Sequence, residues 1–139
     1  MKQLLHFLVV ALIISLASCS KYDKGPNISF RTKKERLTNT WYAYELKSPN
    51  GVVSLDQTGD YFNFDKDGDC EKGTNNTFWK YTGSWHFDQS KEYLEINLVR
   101  SSGFEYEVYS YAFRIIKLKH NKLILEDQQG QQIEYRSFD

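Results

Sequence analysis

The chain predicts an all-β domain, a meander, sandwich or barrel of eight or nine strands with one short helix in front. Three observations lead there. Aromatic residues make up 16% of 139 residues while proline occurs only twice, a balance that favours strands over helix or disorder. From Thr40 onward apolar residues recur with period two. Turn formers punctuate that alternation at close spacing, and no second helical pattern interrupts it.

The elements follow in order. Thr32-Lys33-Lys34-Glu35 is a Thr-x-x-Glu capping box and starts a short helix running through about Thr38. A helix that short does not hold alone, so it packs on something, with Phe30 and Leu37 as the candidate contacts. Trp41 to Leu46 is a strand of bulky residues. Ser48-Pro49-Asn50-Gly51 is a turn, because proline presets φ and Asn-Gly accepts positive φ. Val52 to Leu55 follows, then a break at Thr58-Gly59. Tyr61 to Phe64 is a strand that ends at the hairpin signal Asp67-Gly68.

Cys70 to Asn76 is polar and shows no clear pattern. Thr77 to Tyr81 and Gly83 to Phe87 read as two strands. Tyr93 to Val99 alternates cleanly, with Leu94, Ile96 and Leu98 on one face. Leu123-Ile124-Leu125 and Ile133-Glu134-Tyr135 close the domain around the turn Gln128-Gln129-Gly130. Phe104 to Leu118 differs: its apolar residues sit on even positions, move to odd ones at Tyr109, and return to even ones at Ile116. Such register changes predict bulges, and bulges bend a strand as a small barrel requires. Two partly buried faces would give the same pattern.

The N-terminus carries a separate message. Lys2 precedes an apolar run from Leu4 to Leu16, and the small residues Ala17 and Ser18 lead to Cys19. This is the layout of a secretory signal peptide, and the run is shorter than the ~20 residues of a spanning helix. The arrangement resembles the lipobox of bacterial lipoproteins. That resemblance implies cleavage before Cys19 and acylation of its thiol, giving residues 1–18 as signal peptide and 19–28 as a lipidated tether. Residues 29–139 are left as the domain. At ~0.8 kcal/mol per buried methylene, two or three acyl chains anchor stably. The nine tether residues 20–28 reach at most ~30 Å.

Removing 18 residues leaves 139 − 18 = 121, one domain with a core of its own. Basic and acidic residues number 18 each, and no basic patch points to nucleic acid. Acylation of Cys19 leaves Cys70 without an intrachain partner, either as a small apolar residue or as a reactive thiol.

Catalytic and metal-binding motifs are absent. Asp65-Lys66-Asp67-Gly68-Asp69 begins like a calcium loop, but Cys70 and Asn76 occupy the positions that want Gly and Glu. A looser cation site on Asp65, Asp67, Asp69 and Glu71 competes with a solvated hairpin turn. His86 and His120 have no partner pattern. Glu105 and Glu107 lie about 7 Å apart on one strand face, a spacing compatible with a glycosidase pair but also with a wet face. Asn75-Asn76-Thr77 reads as loop polarity. No cofactor, metal or catalytic residue is expected.

The capped helix followed by Asn39-Thr40-Trp41 resembles the opening of lipocalins, whose first strand carries a Gly-x-Trp motif. Here Asn39 stands in place of the glycine. The mature chain is also similar to small lipocalin-like lipoproteins of the Bacteroidetes. The likeness runs through Gly25-Pro26, Thr32 to Arg36, Phe64 to Gly68, Thr82 to Phe87, and Leu118 with Leu123 to Leu125. It implies an up-and-down barrel of about eight strands behind a short helix, held in the cell envelope by the lipid on Cys19. With only Asp23 acidic behind the cysteine, the resemblance favours an outer-membrane anchor facing the periplasm and leaves surface exposure open. Phe62, Phe64, Trp79, Trp85, Tyr106, Tyr109 and Tyr111 are the candidate lining for a small apolar ligand. The same rings would equally fill a barrel of this size, which then serves as a structural or protein-interaction module.

Overall fold

The computed structural model describes residues 31–75, 80–102 and 105–138. The expected signal segment, the tether with Cys19, Phe30, Phe104 and candidate Trp79 lie outside the described residues. Helix α1 (Lys33–Leu37) starts as its sequence dictates. Thr32 caps it, accepting from Glu35 N at 3.2 Å, while Glu35 Oε2 accepts from Thr32 N at 2.6 Å. Leu37, in its last turn, is fully buried.

Among the described residues nine strands follow: β1 (Asn39–Ser48), β2 (Gly51–Ser54), β3 (Asp60–Phe64), β4 (Asp69–Thr74), β5 (Lys80–Phe87), β6 (Tyr93–Ser102), β7 (Glu105–Leu118), β8 (Lys122–Glu126) and β9 (Gln132–Arg136). Each pairs antiparallel with its neighbours, and β9 returns to β1 along Tyr42–Lys47. On the opposite edge of β1, β3 pairs with Asn39–Tyr42 and β2 with Glu45–Ser48. The strands β2 and β3 are therefore one strand position, interrupted at 55–59. The result is a closed up-and-down barrel of eight positions.

The polar stretch after Cys70 is a full strand, β4. The two strands read on either side of Thr82 are one, β5, over its described part. Gly83 is a point of close approach and not a break: a Cβ there would stand 1.8 Å from the Asn97 carbonyl oxygen. At Asp67-Gly68 the turn forms as read, with Gly68 at φ 102°, a value that suits glycine. Asp65 Oδ1 closes that turn by accepting from the backbone N–H of Asp67, Gly68 and Asp69 at 2.8–2.9 Å.

In β7 the structure separates two causes of the register change. At Ile116 the pairing with β8 slips, as a bulge does. At Val108–Tyr109 the pairing with β6 runs on unbroken. There Tyr106 and Val108 face solvent, 69% and 61% exposed, and Glu107 faces inward. The alternation changes because the interior itself becomes polar toward that end.

The core occupies the end that α1 covers. Trp41, Phe64, Leu94, Ile96, Leu98, Leu123 and Leu125 have almost no exposure. The buried Trp41 indole donates to the Leu37 carbonyl at 2.8 Å and so ties β1 to the helix. Asn39, where the lipocalin opening has glycine, ties β1 to the C-terminal segment by donating to Ser137 Oγ at 2.7 Å.

Candidate ligand-binding site

The opposite end is built differently. The described part of β7 runs past β8, which pairs with it only from Arg114 to Leu118. The β8–β9 turn, 127–131, therefore stands away from the first half of β7. Between them opens a cavity of about 380 Å³, bordered by Phe62, Lys72, Tyr111, Phe113, Ile133 and Tyr135, with 127–129 on its outer side. That volume is within the range of small-molecule sites, roughly 300–1,000 Å³.

Two runs of rings lead to it. From the closed end Phe87, Trp85, Phe64, Phe62 and Tyr135 follow one another at centroid separations of 5.5–5.8 Å. Along β7, Tyr109, Tyr111 and Phe113 stack at 6.3 and 5.5 Å. Inward-facing polar groups sit among them. Lys72 points across the barrel, its Nζ 5.7 Å from the Phe62 ring and 5.3 Å from the Tyr111 ring, and donates to Tyr111 Oη at 3.4 Å. Nearer the rim Arg100 Nη2 donates to Glu107 Oε1 at 2.9 Å, and the Tyr81 hydroxyl donates to Glu107 Oε2 at 3.3 Å. Burial, with the nearby charge of Asp60 and with Tyr111, pushes the Tyr135 hydroxyl well above the usual tyrosine range. It stays protonated and keeps its donor hydrogen.

The described candidate residues divide among four places. Phe62 and Tyr111 border the cavity. Phe64 and Trp85 are core residues, Trp85 donating through its indole to the Asp65 carbonyl at 3.1 Å. Tyr109 is on the inner face near the rim, edge-on to Tyr81. Tyr106 is on the outer face, and Trp79 lies outside the described residues. Lys72, Ile133 and Tyr135 escaped sequence reasoning. Inward Cys70, Lys72 and Thr74 show no apolar alternation, so period two gave no sign of which face Lys72 takes.

The other polar constellations are engaged elsewhere. Glu71 accepts from the Tyr61 hydroxyl at 2.6 Å and from Lys80 at 2.9 Å. The Tyr61 bond, with Lys80 adding to it, holds its carboxyl below the usual range against the opposing effect of burial. With Asp65 closing its own turn, no cluster of three metal-ligating side chains forms among the described residues. His86 sits on the outer surface, 3.0 Å from Glu95.

A closed up-and-down barrel with a helix over one end and a ring-lined mouth at the other defines the lipocalin-like class of fold. No protein-family model matches the chain, and no curated protein does. Solved structures do, among them the following three. A lipocalin-like protein from Bacteroides uniformis superposes with a TM-score of 0.59 at 18% identity, over 74% of this chain and 99% of that one. A protein from Bacteroides eggerthii, described as uncharacterised, gives 0.56 at 18% identity, over 73% and 99%. A lipocalin-like protein from Bacteroides thetaiotaomicron gives 0.51 at 17%, over 73% and 96%. At these identities the likeness is one of fold.

Proposed function

We propose that the chain is a lipid-anchored envelope protein whose barrel mouth holds a small, ring-bearing, largely apolar molecule, and that it acts by binding and not by catalysis. The observation that carries the reading is the cavity of about 380 Å³ between β7 and the β8–β9 turn, floored by Phe62, Phe113, Ile133 and Tyr135. A barrel whose rings filled both ends would have no such space. The lipocalin-like fold supports binding, and the sequence around Cys19 supports the anchor. Among the described residues, the carboxylates at the mouth are engaged, Glu107 by Arg100 and Tyr81 and the cavity-lining Asp127 by the backbone N–H of Gln129 and Gln131. Native mass spectrometry of protein extracted in mild detergent tests the ligand. An added small-molecule mass that disappears on delipidation is expected, and the bare mass in both preparations overturns it.

A second reading uses the outer surface. Tyr106 and Val108 are exposed side by side on β7, and Tyr42, Tyr44 and Phe138 line an outer groove of about 430 Å³ beside Arg136. Exposed apolar patches of this kind mark contact surfaces. In-cell cross-linking of one defined partner through these residues supports this reading, and an absence of cross-links removes it.

A further inference from the structure

We infer that the mouth selects singly charged organic acids, a planar ring body carrying one carboxylate or sulfonate group, with the anionic group seated on Lys72. The inference rests on the ligand-binding reading above and narrows the chemistry of its ligand. Lys72 is inward by register, since it pairs with Phe62 on one side and Tyr81 on the other. Its ammonium reaches across to β7, 39 positions along the chain. There it rests against two ring faces and one hydroxyl, and among the described residues it makes no ion pair. A cation held by ring faces and one neutral hydroxyl is stabilised weakly and remains attractive to an anion.

Two carboxylates near the mouth are already engaged. Glu107 takes Arg100. Asp127 Oδ1 accepts from Gln129 N and Gln131 N, which holds the β8–β9 turn. Among the described residues bordering the cavity Lys72 is the one cation, and it accommodates one negative charge. A dianion would carry its second charge toward Glu107, Asp127 or the apolar wall. Phe62, Tyr111 and Phe113 offer ring faces for the ligand body, and the protonated Tyr135 hydroxyl offers a second donor.

Two fluorescent probes with the same rings test the charge: anilinonaphthalene sulfonate, an anion, and phenylnaphthylamine, its neutral counterpart. Wild-type protein should bind the sulfonate about tenfold or more tightly than the amine, the scale of a charge-assisted hydrogen bond. Lys72→Met, which keeps the stem and removes the charge, should erase that preference and leave the amine affinity within about twofold. Ile133→Trp, which fills the cavity, should abolish both. If Lys72→Met binds the sulfonate as wild type does while Ile133→Trp still blocks both probes, charge selection is wrong and the ligand site stands. If wild type binds neither probe, or Ile133→Trp binds both unchanged, the site itself is wrong. Should Ile133→Trp fail to fold, the comparison of wild type with Lys72→Met still decides the charge.

Discussion

Cys70 illustrates what burial does to a nucleophile. It lies between Phe64 and Gly83 in register and is 4% exposed. Burial first, then the charges of Glu71 and Asp65, push its thiol up to about 12. At pH 7 the thiolate fraction is on the order of 10⁻⁵. In a Cys19→Ser background, native protein should therefore resist maleimide for hours and label only in denaturant. Stoichiometric labelling in native buffer would contradict the placement.

Glu134 is the charged counterpart. It is 4% exposed, and burial alone would raise its pKa. Lys122 at 2.6 Å and Arg136 at 3.1 Å outweigh that and hold it below the usual carboxylate range. A folded pKa below the unfolded value of about 4.3 means stability is fully present above pH 4.3 and lost as pH falls through the folded value. Glu134→Gln should cost about 1–3 kcal/mol at pH 7 by chemical denaturation, and less below pH 4. An equal cost at both pH values would exclude the ion pairs as its source.

At the scale of elements, close approach decides more than propensity. Gly83 lies in β5 against the Asn97 carbonyl of β6, where added methyl carbon would meet backbone. Gly83→Ala should destabilise by about 2–4 kcal/mol or prevent folding, read from a urea midpoint. A change under about 0.5 kcal/mol would show that the strands can part there. The elements also show where sequence reading works. The capping box of α1, the Asp67-Gly68 turn and the clean alternation of β6 are local, so their residue patterns suffice. The strand β4 was illegible because its inward residues are Cys70, Lys72 and Thr74. In β7 the pattern reversed because Glu107 turns inward to Arg100 while Tyr106 and Val108 face water.

For the whole molecule, polarity changes along the barrel axis. The end under α1 is packed with aliphatic and aromatic side chains, and the other end combines rings with Lys72, Arg100 and Glu107. A lipid on Cys19 would hold this domain within ~30 Å of a membrane through the tether. Cys19→Ser should release a soluble or unprocessed form, measured by fractionation of membranes and supernatant. Normal processing with continued membrane partition would overturn lipidation as the anchor.

By itself the sequence determined an all-β chain with one capped helical turn and its main turns. Each of these depends on residues a few positions apart, so local chemistry suffices. Only the tertiary structure decided that β9 closes on β1, that β2 and β3 share one strand position, and that four of the seven candidate rings belong to the core, the rim or the outer face. It alone placed Lys72 against Tyr111. Those outcomes depend on which distant strands become neighbours, and inward or outward facing at a polar mouth is set by those neighbours and not by a side chain's own hydropathy.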